Sequence, residues 1–392
     1  MSVRRSLGAK PPAHELPRMK IVIDFTGPMS TDPGGATYAN YMLPLWAREA
    51  EDELVAVFSR GQLPARLARL DCARELDRAV GPPGIGRALD LHLALPLEVK
   101  SANPDAVLFP GNFASIGVPS RIPTVAVLGS ALSYHYPGQI DRARRAYRRI
   151  AWMFTASRAG RVIVPSSALA DDVMRHVGVR RRKIVVIPHG VDLDRFRLEP
   201  RSRAEPGRFL FVSRLYDYKG LETALRAVAE RIRADPDSNS RLVIADGGET
   251  SASLTSWRGL AAALGIDDRV DFLGCVEHTQ LADEYQRASA LVAPTSIESF
   301  GISYLEAAAC GCPVITTFGH GIDETIGAVA IQVRAHRHDE LAAAMEDIDG
   351  LAEGERLELR RRLRAWAERF PWERTLEATR STVAELVDEG LT

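Results

Sequence analysis

APTSIESFGISYLEAAACGCPVI, residues 293–315, carries two glutamates, Glu298 and Glu306, with seven residues between them where a strand hands over to a helix. The apolar run 290–293, closed by Pro294, predicts a buried parallel strand, and 300–310 predicts a small-residue helix stopped by Gly311 before a new strand over 313–316. In doubly wound sheets, ligands bind at such strand, loop and helix junctions. Gly301 lets a ligand approach the backbone, and the free amides of a helix's first turn make an anion site that suits a phosphate. A carboxylate on either side of a phosphate accepts hydrogen bonds from hydroxyls, so the stretch fits a nucleotide sugar. A plainer alternative stands beside this one. Thr295 with Glu298, and Ser303 with Glu306, each match the capping-box pattern, which would give either glutamate a purely local role. Both cannot cap one helix, and Glu306 lies deep in the small-residue run.

The rest of the chain sets bounds on that site. Its 392 residues, 46% of them hydrophobic, are enough for two domains with two cores. The 50 basic and 51 acidic residues nearly cancel, which argues against general nucleic-acid binding. Cys72, Cys275, Cys310 and Cys312 lack the paired spacing of a zinc site or disulfide framework and read as small apolar side chains in a reducing compartment. No apolar run approaches the roughly 20 residues that cross a bilayer. Residues 1–18 have no apolar core segment and read as a disordered tail, with Met19 as an alternative start. The expectation is a cytoplasmic protein.

In the first half, 20–25 (KIVIDF) predicts a strand, 26–35 a glycine- and proline-rich loop, and 36–47 a helix. Gly27, Gly34 and Gly35 match neither a dinucleotide fingerprint nor a P-loop, so the loop is equally a plain turn. Further strands at 54–58, 106–109, 124–128, 161–165 and 184–188 complete a wound α/β sheet, and the polar stretch to Pro206 fits a linker. His135 sits between two tyrosines at a strand's carboxyl end, where a ligand-facing residue and a structural histidine are both open readings. Arg142, Arg144, Arg145, Arg148 and Arg149 crowd the start of a helix over 141–158. That suits an anionic membrane surface or a lipid-phosphate acceptor, and equally a solvated face over a core-facing side. In the second half, strands at 208–213, 242–245 and 270–273 precede the paired glutamates, and 339–369 reads as helical. Arg214 and Lys219, just ahead of a helix starting near Gly220, converge on the glutamate loop if the sheet is parallel. Two cations there would neutralise a diphosphate, although surface cations are commonly just solvated.

The run through Glu298, Ser299, Phe300, Gly301, Leu305 and Glu306 resembles the signature of the retaining glycosyltransferases of family four, the glycogen-synthase-like branch of the GT-B fold. The resemblance implies two Rossmann-like doubly wound domains with the donor cleft between them: an acceptor-side domain over 19–195, a nucleotide-sugar-binding domain over 205–370, and a helix over 371–392 that crosses back to the first, with Trp372 as anchor. It implies that Glu298 faces the transferred sugar, that Glu306 holds the ribose, and that the backbone of Phe300, Gly301 and Ile302 takes the diphosphate. Arg214 and Lys219 would stabilise charge on the leaving diphosphate, Gly34 and Gly35 would lie near the donor phosphates, Cys275 would lie by the base, and His135 would touch the transferred sugar. Ala245 departs from the family's usual glycine before the acidic residue.

The activity so implied is retaining transfer of a hexose from a nucleotide-diphosphate sugar to a sugar, glycolipid or small-molecule hydroxyl, in glycan, polysaccharide or glycolipid biosynthesis. No cofactor is called for, and no aspartate triplet or histidine cluster in the sequence marks a metal. Without a clear nucleophile opposite the sugar, a front-face reaction is favoured. Two alternatives share the fold: a nucleotide-sugar epimerase-like enzyme, and a catalytically silent sugar-nucleotide-binding subunit.

Overall fold

Short apolar runs seed two all-parallel sheets in a computed structural model that describes residues 16–26, 36–76, 89–130, 132–136, 142–200, 204–247 and 251–391. Gly34, Gly35 and residues 1–15 lie outside the described residues. The chain divides into two units, one of Met1–Pro165, Leu169–Ile187 and Trp372–Thr392, the other of Ser166–Ala168 and Pro188–Pro371.

The first unit holds β1 (Lys20–Phe25), β2 (Glu53–Phe58), β3 (Ala73–Glu75), β4 (Ala106–Phe109), β5 (Thr124–Val127), β6 (Arg161–Val164) and β7 (Ile184–Val186), in the spatial order β3-β2-β1-β4-β5-β6-β7. Alternation along β1 feeds both faces: Val22 packs into one core layer, while Ile21, Ile23 and Phe25 pack into the other with the final helix, Trp372–Leu391. Trp372 stacks on Tyr41 at 5.2 Å. Leu16 packs on the same layer, and Arg380 donates to the Pro17 carbonyl at 3.3 Å, so residues 16–18 are held against the unit rather than trailing as part of a tail.

The second unit holds β8 (Arg208–Val212), β9 (Arg241–Asp246), β10 (Val270–Cys275), β11 (Ala290–Ala293), β12 (Val314–Thr316) and β13 (Ile331–Gln332), in the order β10-β9-β8-β11-β12-β13. Phe209 and Phe211 face one core layer and Leu210 the other. The strand order reverses between β8 and β11, which pair in parallel through Phe209 with Ala290 and Leu210 with Leu291. Helices that leave such neighbours diverge to opposite faces of the sheet and open a crevice at its carboxyl edge.

Three details differ from the sequence expectations. The edge strand β3 was not anticipated, because Ala73, Arg74 and Glu75 form no apolar run. Residues 339–369 are two helices, His338–Asp349 and Glu353–Ala367, parted at Gly350, with the Glu355 carboxylate accepting the Ala352 amide to start the second. Gly274 and Cys275 lie within β10 rather than in a loop after it, past a register irregularity between Phe272 and Gly274.

Candidate functional site

The loop after β8 and the loop after β11 are laced together by the backbone. The Tyr218 carbonyl accepts the Ser296 amide at 2.7 Å and the Thr295 hydroxyl at 3.1 Å. Gly220 permits the approach: its φ is +80°, and a Cβ there would stand 2.2 Å from the Pro294 carbonyl oxygen. The lacing delivers the Lys219 ammonium to the Glu298 carboxylate, Nζ to Oε2 at 2.5 Å, with the side chains only 18% and 19% exposed. Burial pushes the Lys219 pKa down, but the Glu298 charge, the nearby Tyr304 and the hydrogen bond outweigh it, and the net shift is upward. Lys219 is therefore charged at neutral pH.

The glutamate loop is fixed from the other side by the chain after β12. The Glu298 carbonyl accepts the Gly321 amide at 2.9 Å, and a Cβ on Gly321 would lie 2.1 Å from the Ser299 carbonyl oxygen. Gly301, left-handed at φ +89° and pressed against the Tyr304 ring, is the N-cap of the helix Ile302–Ala309 and supplies no side-chain cap. This decides against the capping alternatives. Glu298 precedes the helix, Glu306 lies inside it, and Thr295 Oγ1 donates to carbonyls instead. The helix begins at Ile302, two residues later than expected, so Phe300 and Gly301 belong to the turn in front of it.

Glu306 is 5% exposed, and the Tyr285 hydroxyl donates to its Oε2 at 3.0 Å. Burial pushes its pKa up to about 7; the Tyr285 hydrogen bond and the Arg195 charge offset this only in part. Arg214 is half-buried, its side chain lying over Gly247 at the end of β9, where an added Cβ would meet Arg214 Cγ at 2.8 Å. Cys275 is an exposed free thiol at the end of β10, in register with Asp246 of β9. Arg214, Lys219, Cys275, Glu298, Phe300, Gly301 and Ile302 all lie in segments leaving the carboxyl edge of this sheet, whereas Glu306 reaches inward.

His135 belongs to the first unit. Its Nε2 lies 2.8 Å from Asp172 Oδ2, and His176 Nε2 lies 3.9 Å from Asp172 Oδ1. The ligating atoms of all three lie within 4.8 Å of one another. The sequence expectation of no histidine cluster is thus corrected: folding brings together residues that lie 37 positions apart. His176 also stacks on Tyr134 at 4.9 Å. No helix among the described residues is long and apolar enough to cross a membrane.

Sequence reasoning missed the contributions of Tyr285 and Tyr304, and it read 319–324 only as a glycine-containing loop, where the structure starts the short helix His320–Ile322 with Gly319 as its N-cap.

Two family models together match residues 34–369: Glycosyltransferase Family 4 matches residues 34–195, and Glycosyl transferases group 1 matches residues 194–369. The chain belongs to glycosyltransferase family four. Among similar proteins, the D-inositol 3-phosphate glycosyltransferase of Rhodococcus opacus (strain B4) is 32% identical over 250 residues, covering 60% of this chain and 56% of its own. The corresponding enzyme of Streptomyces avermitilis is 34% identical over 256 residues, covering 61% and 54%. The chain thus spans about half the length of the curated relatives it matches. Solved structures similar in fold include the Thermosynechococcus elongatus sucrose-phosphate synthase, with TM-score 0.72, 20% identity, and coverage of 91% of this chain and 96% of that one. Anabaena HepE, solved in complex with UDP-glucose, has TM-score 0.69, 19% identity, and coverage of 95% and 99%. The two parallel-sheet units are those of the GT-B fold.

Proposed function

We propose that this chain is a retaining, metal-independent glycosyltransferase that moves a hexose from a nucleoside-diphosphate sugar to an acceptor hydroxyl, in glycan, polysaccharide or glycolipid biosynthesis. The observation that carries the proposal is the Lys219–Glu298 pair at the switch point of the second sheet, beside helix amides that no side chain caps. HepE, solved with UDP-glucose on the same fold, supports a sugar nucleotide as donor.

The chemistry follows from charge. When the bond from the anomeric carbon to the diphosphate breaks, negative charge collects on the leaving oxygen. Lys219, Arg214 and the amides at the start of Ile302–Ala309 supply positive potential for it without a metal. The acceptor oxygen bonds to the anomeric carbon on the same face, and its proton passes to the departing phosphate oxygen. Glu298 accepts hydrogen bonds from the sugar, and its carboxylate opposes the positive charge that develops at the anomeric carbon. Glu306 holding the ribose, Cys275 by the base, Gly34 and Gly35 near the phosphates and His135 at the transferred sugar complete the proposal.

We also place the protein in the cytoplasm, in peripheral contact with anionic membrane. Supporting this is a row of exposed apolar side chains on the first unit: Leu89, Leu93 and Leu97, then Ile116, then Tyr147, Ile150 and Met153 on the arginine-rich helix Arg142–Arg158. Ile116 is tied to the first group through its amide and His92 Nδ1 at 3.3 Å, and Phe113 meets Tyr147 at 5.9 Å. Apolar surface rimmed by arginines suits an anionic interface.

The donor proposal is tested by a thermal-shift screen of uridine, guanosine and adenosine diphosphates and their glucose esters, with and without chelator. At about 100 times the dissociation constant a ligand stabilises by roughly 2.7 kcal/mol. A chelator-insensitive shift with one base is the expected result, and silence across the panel would overturn the proposal.

A further inference from the structure

Asp172 and His176 stand one helical turn apart, where the helix Ser167–Asp172 runs on into the wider turn Val173–Val177, so their side chains share a face. His135 ends the short helix Leu132–His135 that follows β5. All three residues belong to the first unit. The fold thus presents two imidazoles to the two oxygens of one carboxylate: His135 Nε2 lies 2.8 Å from Asp172 Oδ2, and His176 Nε2 lies 3.9 Å from Oδ1.

Only the first of these contacts is a hydrogen bond; the second is too long for one. Among the described residues the His176 imidazole makes no hydrogen bond, and its ring is held near the carboxylate by stacking on Tyr134 at 4.9 Å and by meeting the His135 ring edge-on at 5.6 Å. Asp172, with its side chain 14% exposed, pairs with no lysine or arginine among the described residues, so its charge is answered by imidazoles alone. Pinning the two helices together would need one histidine. The second adds a third ligand atom, and all three lie within 4.8 Å of one another.

We propose that His135, Asp172 and His176 bind a divalent transition-metal ion, with zinc the fitting member. Imidazole nitrogen with a carboxylate suits zinc, whereas magnesium and calcium call for oxygen ligands. Zinc takes these atoms at about 2.0–2.2 Å, which sets tetrahedral ligands about 3.4 Å apart, and side-chain rotation alone brings His176 in to that spacing. Each imidazole gives an Nε2 lone pair to the ion, any proton held there passes to solvent, and water fills the fourth position. The ion is no cofactor of the transfer. On the proposed function His135 touches the transferred sugar, and one Nε2 cannot serve an ion and a hydroxyl together; resting on that reading, zinc acts as an inhibitor of sugar binding.

The test titrates zinc, cobalt(II) and magnesium into the full chain after dialysis against chelator, for the wild type, Asp172→Asn and His176→Ala. Calorimetry should show a single zinc ion bound by the wild type and no heat with magnesium, and cobalt(II) should develop the intense visible absorption of a tetrahedral site. Each variant should weaken zinc at least about 100-fold, the upper end of what losing a mere outer hydrogen-bond partner of a metal ligand costs, and should lose the cobalt band. His176→Ala removes no hydrogen bond, so it keeps the test decisive even where Asp172→Asn loosens the His135 contact. A wild type that binds no zinc overturns the proposal, and so does equal zinc binding by wild type and His176→Ala, which would mark an adventitious ion on other histidines. The inhibitory consequence is read separately, from the affinity for whichever glucose ester of uridine, guanosine or adenosine diphosphate the wild type binds. Zinc should weaken it ~10-fold, the worth of one hydrogen bond, in the wild type and leave His176→Ala unaffected, although both meet the same zinc and phosphate chemistry in solution. Unchanged affinity in zinc-loaded wild type would remove His135 from the sugar while the metal site stands, and failure to bind any ester would overturn the donor proposal without touching the zinc titration.

Discussion

Lys219 and Glu298 illustrate how one contact can serve folding and chemistry with opposite demands. Unliganded, the ammonium neutralises a largely buried carboxylate; with donor bound, the same ammonium would face the diphosphate. Lys219→Ala should lower turnover roughly 10²- to 10³-fold, the size expected for loss of one charge-stabilising group. It should also destabilise the second unit by about 1–3 kcal/mol, because Glu298 is left without its cation. Lys219→Ala with Glu298→Gln should recover most of that stability and none of the turnover. Chemical denaturation and donor-turnover assays on the two variants separate the effects, and full recovery of turnover in the double variant would remove Lys219 from the chemistry. The pair was only half legible in the sequence. Each residue could be singled out, but the partners lie 79 positions apart, and what joins them is the fit of Gly220 under the Pro294 carbonyl. Whether the glutamates were caps was undecidable from spacing alone; the left-handed Gly301 settles it by starting the helix after Glu298.

At the scale of elements, glycines divide into those that space the site and those that only turn the chain. Gly220 and Gly178 share nearly the same φ, +80° and +77°, but a Cβ at 220 would meet backbone at 2.2 Å while one at 178 would meet nothing within 4 Å. Gly178→Ala should therefore cost about 1–2 kcal/mol, the left-handed penalty alone. Gly220→Ala should cost more, ~3 kcal/mol, because the two loops must also part. Equal losses in denaturant melts would show that the loops yield freely. On the first unit, the apolar and arginine side chains of Arg142–Arg158 make a separate prediction. In liposome flotation the wild-type chain should rise with anionic vesicles and stay down with neutral ones, and Ile150→Ser with Met153→Ser should abolish flotation with donor affinity unchanged; equal behaviour on both vesicle types would sink the idea. Elements driven by local apolar runs were legible: β1, β4 and β11 fall where the runs do. Elements whose cause is remote were not. β3 exists because β2 offers an edge, and the first-unit helix Leu95–Ala102, with Leu97 exposed, lacks a clean amphipathic pattern.

For the molecule as a whole, two buried groups pull the pH dependence of stability in opposite directions. Glu306 has its pKa raised from 4.5 to about 7, so the folded chain binds more protons than the unfolded one across that window. Its contribution is fully present below pH 4.5 and is lost as pH rises through about 7. His189 has its pKa lowered from 6.5 to about 4 by burial, so the unfolded chain binds more protons there, and stability gains as pH rises from about 4 to 6.5. Where the windows overlap the two slopes largely cancel, and a flat wild-type profile between roughly pH 4.5 and 6.5 would hide both. Glu306→Gln keeps an acceptor for the Tyr285 hydroxyl and removes the titration. Its stability should rise with pH across the overlap as the His189 slope is uncovered. Relative to the wild type, the difference should grow from near zero at pH 4.5 to about 3 kcal/mol in favour of Glu306→Gln above pH 7, since each unit of pKa shift is worth about 1.4 kcal/mol. Urea denaturation of both chains at half-unit pH steps gives the difference curve directly, free of every titration the two share. A difference that stays flat would mean that the Glu306 carboxyl is not desolvated in the folded protein. A ribose in that part of the site would then meet an ordinary, ionised glutamate and not one that must first give up its proton.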